Sequence, residues 1–83
     1  MILNEKTPNS ATLVSVDGKG ICAVTNLDAN TGYIYIGDSA LTTSKYTIRL
    51  VPGDVYHIPH NAAITFYILN SVSGEKCEVT TWD

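Results

Sequence analysis

Eighty-three residues with 16% charged side chains and a formal net charge of −3 describe one small domain. The five basic residues, Lys6, Lys19, Lys45, Arg49 and Lys76, are scattered. They make no stripe of the kind that releases counterions from nucleic acid, which excludes a nucleic-acid partner. No run of about 20 apolar residues exists to span a bilayer, so no membrane role is expected.

Residues 1–10 read as an N-terminal arm, mostly polar and broken at Pro8, with Ile2 and Leu3 able to pin it to its own body or to a neighbour. They lack the basic region and apolar stretch of a signal peptide, so the chain is expected to be made and used in a cytoplasm. Residues 11–83 read as a single β domain. Short β-rich runs alternate with turn clusters, the pattern of an all-β fold: a small antiparallel β-sandwich or barrel of about seven to eight short strands.

The first run, 11–16, leads into Asp17-Gly18-Lys19-Gly20, where Asp-Gly is a hairpin signal. A second run covers 21–27, with Cys22 and Val24 in one phase. A loop at 28–32 precedes a strand ending at Ile36, which Gly37 and Asp38 break. A short piece is expected at 41–44 and a strand at 46–51. In that strand Tyr46, Ile48 and Leu50 alternate with Lys45, Thr47 and Arg49, one face packed and one wet. Pro52-Gly53 predicts a turn, since proline presets φ and glycine accepts positive φ. Strands at 55–58, 63–69 and 76–82 follow. Ile64, Phe66 and Ile68 share one phase against Thr65 and Tyr67, and Cys77 and Val79 share another against Lys76, Glu78 and Thr80.

Tyr33-Ile34-Tyr35-Ile36 is apolar on both faces. Ile34 and Ile36 are expected inward and the tyrosines outward, either beneath a loop or the arm, or against another subunit. Tyrosine suits the second role, with a large ring and a polar tip. Trp82, next to the C-terminal residue, is either tucked into the domain or presented to a partner.

The run Val24-Thr25-Asn26, then Asn30-Thr31-Gly32-Tyr33-Ile34-Tyr35-Ile36-Gly37-Asp38-Ser39-Ala40-Leu41-Thr42-Thr43, continued by Ile48-Arg49-Leu50-Val51-Pro52-Gly53-Asp54, resembles a loose group of small β-sandwich or barrel domains of tailed-phage virions. The shared pattern spans roughly residues 21–69. It comprises a strand ending in Thr-Asn, an Asn-Thr pair, a Tyr-Ile-Gly strand, a Thr-rich turn and a Pro-Gly-Asp turn. The resemblance implies a virion structural protein assembled in a host cytoplasm. Such proteins include decoration or cement proteins, fibre bases and tail-associated domains, many of them trimeric. The expected partner is the major capsid protein or another virion protein, and the expected state is a homo-oligomer, with a trimer favoured. Ile2, Leu3, Tyr33, Tyr35 and Trp82 are the expected interface residues. A glycan- or receptor-binding module of a fibre, or an inhibitor of a host factor, are the alternative functions.

Candidate chemistry is sparse. His57 and His60 flank Pro59 with Asp54 nearby, but zinc sites usually take four ligands, so no metal is expected unless symmetry completes one. Cys22 and Cys77 fall in core phase. They either form a disulfide, worth about 4 kcal/mol by loop closure, or sit as two buried thiols, which cytoplasmic assembly favours. Glu75 and Glu78 read as solvated charges. No nucleophile elbow, phosphate loop or paired acids exist, so no catalytic residue and no cofactor is expected. A chain this small buries only roughly 60–65% of its unfolded surface, which favours completion of burial on another polypeptide.

Overall fold

The computed structural model describes residues 2–16, 21–59 and 64–81. Eight strands carry the domain: β1 (Ile2–Lys6), β2 (Thr12–Val16), β3 (Ile21–Asn26), β4 (Ile34–Gly37), β5 (Ile48–Leu50), β6 (Val55–Pro59), β7 (Ile64–Asn70) and β8 (Cys77–Thr81). β-branched and aromatic residues are common in β2, β3, β4, β6, β7 and β8, and Gly, Pro, Asn and Asp recur in the connections, as strand and turn preferences favour.

The strands form two antiparallel sheets, ordered β1-β8-β3-β6 and β2-β7-β4-β5. The pairs β1·β8, β2·β7, β3·β6 and β4·β5 are all hydrogen-bonded. The chain is thus one long hairpin with its tip at β4–β5, rolled so that β3·β8 and β4·β7 also join. Every connection except β4–β5 passes from one sheet to the other. This connectivity is that of a jelly roll, a double-sheet answer to the edge-strand problem.

Alternation drives the packing. Val14, Cys22, Val24, Ile34, Ile36, Leu50, Phe66, Ile68, Cys77 and Val79 form the core between the sheets, with Ile48, Tyr56 and Ile58 packed against it. The expected inward phases hold for Cys22, Val24, Leu50, Phe66, Ile68, Cys77 and Val79. Tyr46 departs from its phase. It precedes the first residue of β5 and stands 41% exposed. The tight turn closed by the Thr42–Lys45 bridge resets the chain before the strand begins, so the period of two does not extend back to it.

One further expectation changes, and two alternatives that the sequence leaves open are decided. Of the two anchorages open to the N-terminal arm, its own body is the one used by residues 2–6: β1 pairs along β8, with Leu3 opposite Thr80 and Glu5 opposite Glu78. The Asp17-Gly18 signal lies outside the described residues, but the strands on either side of it do not make a hairpin. β2 pairs with β7, while β3 pairs with β6 and β8 in the other sheet. A turn residue reverses the chain locally. Partner choice follows the need to bury two inner faces. Finally, of the two states open to Cys22 and Cys77, the favoured one holds: both are free and fully buried thiols. In the β3·β8 ladder Cys22 stands opposite Thr81 and Cys77 opposite Asn26, at opposite ends of the pair. Several residues of strand rise separate them, roughly 3.3 Å each, beyond the reach of a disulfide. Burial pushes the Cys77 thiol up to about 12 and raises Cys22 as well.

The Pro52-Gly53 turn forms as expected. The Asp54 amide donates to the Val51 carbonyl at 3.0 Å, and Gly53 has φ of 90°. It belongs to an end of the sandwich rich in asparagine. There the fully buried Asn26 side chain donates to the carbonyls of Gly32 (3.2 Å) and Leu50 (2.8 Å), and accepts from Asn30 at 2.7 Å. Its backbone amide donates to the Asp54 carbonyl, and its carbonyl accepts from Gly53. Asn70 does the same work on the other side, donating to Asn9 Oδ1 and to the Glu75 carbonyl, both at 2.9 Å.

Candidate functional site

Among the described residues, the outer face of the β2-β7-β4-β5 sheet carries a row of large side chains. On β4 the alternation that turns Ile34 and Ile36 inward turns Tyr35 outward. Cross-strand pairing sets Tyr35 beside Arg49 of β5 and Leu69 of β7. The next row pairs Tyr67 with Leu13 of β2. Tyr33, just before β4, and Tyr46, just before β5, flank Tyr35. Its ring centroid lies 6.1 Å from that of Tyr33 and 4.7 Å from that of Tyr46.

The result is an aromatic ridge on a strand scaffold. Tyr35 is covered by its neighbours and only 6% exposed, whereas Tyr33 and Tyr46 face solvent. The Arg49 guanidinium sits 4.6 Å above the centre of the Tyr33 ring. A guanidinium over a ring face is held by the ring quadrupole and still offers its planar N–H donors to a partner. Among the described residues no carboxylate pairs with Arg49, the one ion pair there being Lys76 with Glu5 at 3.3 Å.

The asparagine end holds this ridge in place. The Tyr33 amide donates to Ser71 Oγ at 2.7 Å, and the Ser71 amide donates to the Tyr33 carbonyl at 2.9 Å. Just upstream, Glu75 accepts from the amides of Thr31 and Gly32, each at 2.7 Å, and from the Thr31 hydroxyl. The Thr31 amide chiefly holds the Glu75 carboxyl below its ordinary value. Glu75 is therefore a backbone clamp, not the solvated charge expected from sequence.

Of the expected interface residues, the structure brings Tyr33 and Tyr35 together, with Tyr35 at the base of the ridge and Tyr33 on its crest. Leu3 is exposed but lies on β1, in the other sheet. The Ile2 backbone belongs to β1. Its side chain, and Trp82, lie outside the described residues. Sequence reading missed Arg49, Tyr46, Leu13 and Leu69 as companions of Tyr33 and Tyr35. Alternation alone placed Arg49 and Tyr67 outward, but only the strand register reveals which residues share a row.

A cleft opens between the sheets at the end opposite the asparagines. Its volume is about 310 Å³, with an apolar wall of Ile36, Ile48, Phe66, Tyr56 and Ile58, and with Asp38, Thr47 and Thr65 supplying polar groups. Asp38 is engaged, its Oδ1 accepting from the Ala40 amide at 2.9 Å. His57 is exposed on β6, opposite Ala23, and His60 lies outside the described residues. Among the described residues no group of three metal-ligating side chains converges.

Comparison with protein-family models, with curated proteins and with solved structures finds no match to this chain.

Proposed function

We propose that this chain is a structural protein of a phage virion, a decoration or cement protein that docks on the capsid through the outer face of the β2-β7-β4-β5 sheet. One observation carries the reading. Tyr33 and Tyr46 are displayed, not buried, beside an Arg49 that has no carboxylate partner among the described residues. Tyrosine and arginine dominate binding hot spots, and a strand scaffold fixes them before contact, which lowers the ordering cost of association. Viral capsid domains are among the users of the jelly roll, an analogy of fold and not of function.

A binding role, with no catalysis, also fits the way reactive groups are used. Asp38, Asp54 and Glu75 accept backbone amides in turns and loops. Both thiols are buried and held protonated. A glycan-binding fibre module is the second reading, favoured by the same exposed rings beside a multivalent hydrogen-bond donor.

Co-sedimentation with assembled heads of the virus that encodes the chain tests the first reading. Saturable binding that Tyr33→Ser and Arg49→Ala each reduce supports it. Absence of binding to heads, together with a positive glycan array, transfers the face to the second reading.

A further inference from the structure

We propose that two copies of this chain join through β2, edge to edge and antiparallel, so that their β2-β7-β4-β5 sheets become one continuous sheet. The two sheets leave four edge strands: β1, β6, β2 and β5. Soluble β proteins blunt such edges with charge, proline or brevity, because an unpaired row of N–H and C=O groups is a template for another strand. Three of the four edges carry such devices. β1 contains Glu5 and Lys6, with Glu5 ion-paired to Lys76. β5 has only three residues, includes Arg49, and follows the tight turn at Thr42–Lys45. β6 ends in Pro59 and carries His57.

β2 has none. Its five residues, Thr-Leu-Val-Ser-Val, include no charge and no proline, and among the described strands it pairs with β7 alone. Leu13 stands 51% exposed on its outer face, beside Tyr67.

A second copy is the occupant that this edge fits. An antiparallel pairing of one strand with itself is twofold, so the same residues serve both sides and complementarity needs no second surface. The seam carries no charge, so the acidic balance of the chain, −3 per copy, is not concentrated there. The axis runs perpendicular to the sheet, which keeps inner residues beside inner residues and brings the Leu13 side chains of the two copies to a shared outer seam. Main-chain hydrogen bonds supply the ladder, as in strand addition generally. The pairing is a dimer, in place of the trimer that the phage resemblance implies. It does not depend on the docking reading, since it is measured on the isolated chain. It would set two Tyr33–Arg49 ridges on one sheet surface, a bivalent arrangement that raises effective concentration at a repetitive target.

Sedimentation equilibrium on the 83-residue chain tests the pairing. The wild type is expected to be a dimer that dissociates on dilution. Leu13→Lys sets like charges near the seam and removes the apolar contact, so self-association should weaken at least about tenfold with far-UV circular dichroism unchanged. Ser15→Lys, on the same exposed face, should act likewise and serves if Leu13→Lys misfolds. Leu3→Lys on β1 should leave the dimer intact. A wild type that stays monomeric at several hundred micromolar, or an oligomer that both β2 variants preserve, overturns the proposal. So does a dimer lost only in Leu3→Lys, which would place the contact on β1.

Discussion

The Asn26 side-chain amide donates to the Leu50 carbonyl at 2.8 Å, and so ties β3 of one sheet to β5 of the other. The same amide reaches Gly32, whose loop leads into Tyr33. Removing it leaves buried backbone carbonyls without a donor. Asn26→Ala should therefore cost about 2–4 kcal/mol, the sum of lost bonds and stranded polar groups. Urea unfolding checks this, and a loss under about 1 kcal/mol would show that the clamp is not a principal tie between the sheets.

Gly32 is a place where a side chain does not fit. A methyl group there would overlap Ser71 Oγ and come within 2.6 Å of Val72 Cγ2. Gly32→Ala should destabilise by about 1–3 kcal/mol through this overpacking. Because Ser71 also holds the Tyr33 backbone, nuclear magnetic resonance shifts of Tyr33 should move more than those of Leu13 in this variant.

Glu75 makes the fold sensitive to acid. Its carboxyl is held below the ordinary value by the Thr31 amide first, then by Gly32 and the Thr31 hydroxyl. The folded state then binds its proton less readily than the unfolded state. The stabilisation is present above the ordinary carboxylate value and is lost as pH falls through the lowered one. Wild-type stability should decline from about pH 5 downward, and Glu75→Gln should show a shallower decline. Equal slopes for the two proteins would mean that the clamp does not titrate with folding.

The thiols give the opposite dependence. Burial raises Cys77 to about 12, so the unfolded thiol ionises first as pH rises. Its contribution is complete below the unfolded value, about 8.5, and is lost towards 12. Stability should fall across that interval, and Cys77→Val should flatten part of the fall. At pH 8 neither thiol should react with a disulfide reagent until the protein unfolds. Fast labelling of either in the native state would contradict their placement.

Much of the fold was legible because the chain alternates cleanly. The phases of Cys22 and Val24, Phe66 and Ile68, and Cys77 and Val79 give the inner faces directly, and Pro52-Gly53 marks a turn whose φ only glycine readily accepts. Pairing was not legible. Asp17-Gly18 looks like a hairpin, yet β2 and β3 belong to different sheets, because long-range burial outweighs a local turn preference. The ridge was half visible. Tyr33 and Tyr35 stand out as apolar residues on an outward face, but the Arg49 partner depends on the β4·β5 register. The segments Thr25-Asn26, Asn30-Thr31-Gly32 and Pro52-Gly53-Asp54, separate in the chain, converge in space as the clamp around Asn26.

The proposed docking role is tested most directly by occupancy of assembled heads by the wild type and by Tyr33→Ser, measured by quantitative co-sedimentation. Hot-spot residues cost about 2 kcal/mol or more when truncated, roughly 30-fold in affinity. Saturable wild-type binding is expected, with a loss of that size in Tyr33→Ser and the variant as stable as the parent. Wild-type protein that stays in the supernatant at every concentration, or a Tyr33→Ser variant that binds as tightly as the wild type, would contradict the docking role.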